Sequence, residues 1–128
     1  MNGNFETLYE QIGGGATIQK LVDAFYPKVF SNEELLPIFN GSMEDIKRKQ
    51  FMFLSQFLGG PALYSEEFGP PAMRQRHLPF EITPVRAENW LSCMEEAFEE
   101  IGLSQTPEGQ LFFHRLKQVA AIMVNSNE

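Results

Sequence analysis

Apolar residues recur at three- and four-residue steps in four stretches of the chain, the period of an amphipathic helix. In the first stretch Ile18, Leu21, Val22, Phe25 and Val29 share a face, with Gly13-Gly14-Gly15 before it and Ser31-Asn32 after it. Pro27 falls inside this stretch and predicts a kink or a lost backbone hydrogen bond in the last turn. The second opens at Ser42, with Asp45 three residues on in a capping-box-like start. Its inward stripe reads Ile46, Gln50, Phe53, Leu54 and Phe57, and Gly59-Gly60-Pro61 ends it. The third begins at Thr83 with Pro84 in the first helical position, carries Ala87, Trp90, Met94, Ala97, Phe98 and Ile101, and stops at Gly102. The fourth starts near Thr106-Pro107 and runs through Phe112, Leu116, Val119, Ala120 and Met123. Residues 61–82 lack a sustained period, although Pro71 to Leu78 predicts a short helix that Pro79 closes. No alternating apolar run argues for a strand, so the expected class is all-α.

Composition narrows the choices. At 128 residues the chain is read as one domain, residues 1–128, long enough to bury roughly two-thirds of its unfolded surface. Twelve phenylalanines predict a core of flat apolar faces, stacked on each other or on a flat ligand. The net charge of -7 comes with no basic block longer than Lys47-Arg48-Lys49, which argues against nucleic acid or an anionic membrane surface as partner. No apolar stretch approaches a spanning helix, and Met1 to Glu6 lacks the pattern of a secretion signal. The single cysteine, Cys93, excludes an internal disulfide framework and fits a reducing compartment; the expected location is the cytoplasm.

Polar residues standing on apolar stripes carry the chemistry. Gln50 lies on the inward stripe of the second segment, where a buried amide must find partners. Tyr26 adjoins Phe25 on the buried face of the first, and Trp90 sits on the stripe of the third. Each has a structural reading: an amide at a helix edge, a phenol reaching water, a core indole. Together they fit three polar tips converging on a small polar ligand in an apolar cavity. Of the two histidines, His114 has Gln118, Ala121 and Asn125 as same-face neighbours and is expected to face solvent. His77 lies in Arg74-Gln75-Arg76-His77-Leu78-Pro79-Phe80; a lone histidine before proline is either structural or, as neutral imidazole, a metal ligand. Cysteine pairs for zinc, a P-loop, a dinucleotide fingerprint and a nucleophile elbow are all missing.

At these residues the chain resembles the group II truncated haemoglobins of bacteria, from about Phe5 to Asn125. The matching pieces are Tyr9-Glu10-Gln11-Ile12-Gly13-Gly14, Phe25-Tyr26, Phe51-Met52-Phe53-Leu54 leading to Gly59-Gly60-Pro61, and Tyr64-Ser65. Most specific is the His77 heptapeptide followed thirteen residues after the histidine by Trp90, and Met123-Val124-Asn125-Ser126 completes the set. The resemblance implies a two-over-two helical globin sandwich around haem b. It implies His77 as proximal iron ligand, Phe39 packed on the porphyrin, and Tyr26 and Trp90 as distal donors. Lys49, Tyr64 and Arg76 fall where such proteins meet the haem propionates. Gln50 occupies a position that is often leucine, and Ile46 stands where many globins place a distal histidine. The polar work then shifts to Tyr26, Gln50 and Trp90.

The resulting expectation is a haem protein that binds O2 reversibly, with CO, NO or peroxide as other ligands, in oxygen binding or transport. An NO dioxygenase or peroxidase-like enzyme served by an unidentified reductase is the alternative using the same haem. A haem-free helical binding module is the alternative without it. A monomer or homodimer is expected.

Overall fold

A computed structural model of the chain describes residues 7–39, 41–78 and 80–126. The proposed helix stop at Pro79 and the leader reading of Met1 to Glu6 lie outside the described residues. Seven α-helices follow in order: α1 (Leu8–Gln11), α2 (Gly14–Val29), α3 (Met43–Phe57), α4 (Leu63–Phe68), α5 (Met73–His77), α6 (Pro84–Glu100) and α7 (Pro107–Met123), with a 3₁₀ turn at Leu103–Gln105. No strand occurs among the described residues.

The start signals act as local chemistry dictates. Ser42, Thr83 and Thr106 stand in extended backbone, and their hydroxyls accept from the amides of Asp45, Arg86 and Gly109. Each bond satisfies one amide that the first helical turn leaves without a partner. Helix α2 continues through Pro27, and Phe30 N–H still reaches the Tyr26 carbonyl at 3.0 Å. Proline has no N–H, so the lost bond is the one to the Asp23 carbonyl, at an exposed residue. The triple glycine separates two helices: Gly13 has φ 110° and Gly14 φ 69°, values a Cβ disfavours, and α2 begins at Gly14 itself.

Two helices escape the periodic reading. Helix α1 is held by a full capping box between Thr7 and Glu10, and α4 occupies part of the stretch read as irregular. Four or six residues are too few to display a period of 3.6. The short helix expected over Pro71 to Leu78 is present as α5, entered through Ala72 in the left-handed region at φ 39°.

Helix α2 packs against α3 and α6, and α6 against α7, so the pair α2–α3 lies over the pair α6–α7. Helix α5 contacts α7. Ile18, Leu21, Val22, Phe25 and Val29 of α2 meet Leu54 of α3, Met94, Ala97 and Phe98 of α6, and Phe112 and Leu116 of α7 in one buried cluster. The stripes do not all close into this core, however. Ile46, Gln50, Phe53 and Phe57 of α3 and Ala87 and Trp90 of α6 are only half-buried, and Gln50, Phe53, Ala87 and Trp90 face a gap between the helix pairs.

One close approach sets how α7 meets the turn before it. A Cβ on Gly109 would stand 1.9 Å from the Leu103 carbonyl oxygen. Backbone cannot yield as a flexible side chain would, so Gly109→Ala is expected to lower stability by about 3 kcal/mol. Denaturant unfolding measures this directly. A change within about 0.5 kcal/mol, the level of a neutral surface substitution, would contradict the packing described.

Candidate functional site

The gap between the helix pairs is a cavity lined mainly by apolar side chains, the usual character of a cofactor site. Tyr26 comes from α2, Phe39 from the segment between α2 and α3, Gln50 and Phe53 from α3, His77 from α5 and Trp90 from α6. Residues 116–123 of α7 contribute Leu116, Val119, Ala120 and Met123. Five of the eight expected site residues therefore meet on one cavity: His77, Tyr26, Gln50, Trp90 and Phe39.

The polar groups on this wall have unusual hydrogen-bond states. His77 Nδ1 lies 2.7 Å from the Met73 carbonyl oxygen. A carbonyl only accepts, so Nδ1 carries a proton, and in the neutral ring it is Nε2 that offers a lone pair to the cavity. This backbone-anchored tautomer is the arrangement that orients a metal-ligating imidazole. Tyr26 is 2% exposed, its ring wedged edge-on against Phe25 at 4.7 Å and Phe39 at 6.1 Å. Burial holds its phenol protonated, far above the usual tyrosine range. The Tyr26 hydroxyl, the Gln50 amide and the Trp90 indole N–H have no hydrogen-bond partner among the described residues. A buried hydroxyl left so costs about 1–3 kcal/mol, and the half-buried Gln50 and Trp90 add two more open polar groups to the same wall, a setting that suits a small polar guest.

Lys49, Tyr64 and Arg76 do not line the cavity; they gather beside it around Phe68. Lys49 Nζ lies 5.5 Å from the Phe68 ring centroid, Tyr64 packs on Phe68 at 4.9 Å, and the Arg76 guanidinium covers Tyr64 at 5.2 Å. Arg76 donates from Nε to the Pro71 carbonyl at 2.7 Å and from Nη2 to the Phe68 and Pro70 carbonyls at 2.8 and 3.0 Å, while its Nη1 has no hydrogen-bond partner among the described residues. Lys49 is exposed and has no carboxylate partner among the described residues.

Two residues at the cavity were not visible as such in the chain's pattern. Arg86 is a cation on an otherwise apolar wall, donating to the Glu81 carbonyl at 2.7 Å and flanked by the Glu34 and Glu81 carboxylates at 3.9 and 3.6 Å. Asn125 lies behind the His77 segment, joined to it by hydrogen bonds. Among the expected bystanders, His114 is exposed. Cys93 is buried, and burial pushes its thiol up, away from nucleophilic chemistry.

No three His, Cys, Asp or Glu side chains among the described residues come together around a point that could hold a bare metal ion. One free imidazole nitrogen on an apolar cavity instead fits iron whose other ligands come from a flat, greasy cofactor. The family of bacterial-like globins matches residues 7–125. The chain belongs to that family. Within it, this globin is a group II truncated haemoglobin. It is 47% identical over its whole length to the group 2 truncated hemoglobin YjbI of Bacillus subtilis, covering 96% of that protein. The crystal structure of the group II truncated hemoglobin from Bacillus anthracis superposes with a TM-score of 0.94 at 48% identity, covering 98% of this chain and 96% of that one. A truncated oxygen-avid haemoglobin from Bacillus subtilis superposes at 0.89 with 47% identity, over 94% of this chain and 100% of that one. The two-over-two globin fold is thereby established for the chain, with haem b as the cofactor of its family and binding of diatomic ligands at haem as its general activity. No helix among the described residues is long and apolar enough to cross a membrane.

Proposed function

We propose that this globin binds O2 reversibly, with His77 as the axial ligand of haem and Tyr26, Gln50 and Trp90 as hydrogen-bond donors to the bound gas. The observation that carries this reading is the set of three unpartnered polar tips on an apolar cavity that also holds an imidazole with a free Nε2. Haem, when bound, would supply the iron at which a diatomic gas is held. The chain's own residues do the rest. Met73 fixes the His77 tautomer through its carbonyl. Phe39 and Phe53 offer flat apolar faces that exclude water from the porphyrin, and the buried Tyr26 phenol stays protonated and so remains a donor. Tyr26, Gln50 and Trp90 would donate hydrogen bonds to a polar diatomic guest and so slow its release.

Lys49 and Tyr64 are the proposed partners of the propionates: a cation and a phenol suit carboxylates, and neither polar end has a hydrogen-bond partner among the described residues. Arg76 shapes the loop before α5 through Nε and Nη2, and its Nη1 is the donor proposed for a propionate. The oxygen-avid character stated for the Bacillus subtilis relative accords with a strongly donating pocket. A cytoplasmic location accords with a single, reduced cysteine.

Visible spectra of the purified protein, ferric and then reduced under CO and under O2, provide the test. A strong Soret band and an O2 spectrum that persists and reverses on degassing are expected. Protein that takes up no haem would establish a helical module without cofactor. Rapid consumption of NO in the presence of a reductant, far outpacing spontaneous oxidation, would establish an NO dioxygenase in place of an oxygen-binding protein.

A further inference from the structure

We infer that Asn125 is a positioning residue for His77, an inference that rests on His77 being the axial ligand. Asn125 follows the last turn of α7 and uses every polar group of its side chain on the segment between α5 and α6. Its Nδ2 donates to the His77 carbonyl at 3.2 Å and to the Phe80 carbonyl at 3.0 Å. Its Oδ1 accepts from the Ile82 amide at 2.9 Å, and its own backbone amide donates to the Ile82 carbonyl at 3.0 Å. The two ends of this clamp, His77 and Ile82, both line the cavity.

The segment has little else to hold it. Helix α5 is five residues long, far below the length at which a helix sustains itself in water. Burial fastens the chain after it only at its far end, since Leu78 is 53% exposed and Phe80 37% while Ile82 is buried. Hydrogen bonds hold it instead, from Asn125 at the end of α7 and from Arg86 at the start of α6 through the Glu81 carbonyl. The imidazole is thus fixed twice. Its ring is turned by the Met73 carbonyl one helical turn earlier, and its backbone is held by the Asn125 side-chain amide. An axial bond is sensitive to both, because ring azimuth and the distance of the histidine backbone set how the nitrogen meets the iron.

The full-length protein carrying Asn125→Ala or Asn125→Asp, reconstituted with haem, tests this. Loss of an outer partner of a metal ligand predicts about tenfold faster haem dissociation in both variants. The iron–imidazole stretching band of the reduced, ligand-free protein is expected to shift or broaden, while the vibrations of bound CO stay at the wild-type position. In the apoprotein, hydrogen exchange at the Ile82 amide is expected to accelerate for Asn125→Ala and to stay slow for Asn125→Asp, which keeps an acceptor but faces two carbonyls with a carboxylate. Wild-type haem loss and an unmoved iron–imidazole band in both variants would overturn the inference, and so would a lowered melting temperature with the band unmoved, which marks a mere tether. A His77→Ala protein that retains the iron–imidazole band would instead overturn the assignment of the axial ligand.

Discussion

Replacing His77 with alanine is expected to weaken haem retention by more than about 100-fold, beyond the range seen for loss of an outer partner of a ligand. His77 offers the cavity a nitrogen prepared by the Met73 carbonyl to act as an acceptor toward metal. Among the described residues no cluster of ligating side chains stands ready to replace it. The apoprotein of the variant is expected to fold, because His77 is only half-buried and lies outside the buried cluster that joins α2, α3, α6 and α7. Circular dichroism separates loss of cofactor from loss of fold. In a His77→Gly variant, added imidazole is expected to restore the Soret band by filling the vacated space. Retention of haem at the wild-type rate by the alanine variant would refute the assignment.

Tyr26→Phe is expected to act in opposite directions on the two states of the protein. The substitution removes the hydroxyl alone, since the ring contacts to Phe25 and Phe39 do not involve it. In the apoprotein that hydroxyl is buried without a hydrogen-bond partner among the described residues. Its removal should stabilise the fold by about 1–3 kcal/mol, raising the melting midpoint by roughly 4 °C per kcal/mol. On the proposed reading the same hydroxyl would donate to the partially charged bound gas, a contact of about 1.5–3 kcal/mol. At about 1.4 kcal/mol per decade, its loss should speed O2 release roughly 10- to 100-fold in stopped-flow measurements. A Tyr26→Phe, Gln50→Leu double variant is expected to release O2 faster still. An unchanged release rate in both proteins would remove the proposed distal donors, whatever the melting curves show.

The helical class and most element boundaries follow from short-range rules. Ser42, Thr83 and Thr106 were legible as starts because a hydroxyl and an amide three residues on are all the chemistry a cap requires. Gln50, Tyr26 and Trp90 were legible as anomalies because each breaks an apolar stripe. Their convergence on one cavity was not, because a stripe reports the inward face of its own helix and not which face it meets. The flanking motifs supplied that relation by resemblance, and the crossing of α2–α3 over α6–α7 realises it.

Other features depend wholly on chain segments distant in sequence. The half-buried state of Gln50 and Phe53, on a stripe that reads as ordinary core, comes from the cavity they line between the helices. Arg76 has the composition of a carboxylate partner, yet its guanidinium is engaged by three loop carbonyls that no local pattern could have assigned to it. The Asn125 bonds to His77 and Ile82 span 48 and 43 residues. Local periodicity and capping thus settle which residues become helix and which face turns inward, since neighbours within four positions set those energies. The meeting of His77 with the three polar tips on one cavity and the clamp from Asn125 belong to the tertiary structure, because each is a relation between groups that only the packing of distant helices brings together.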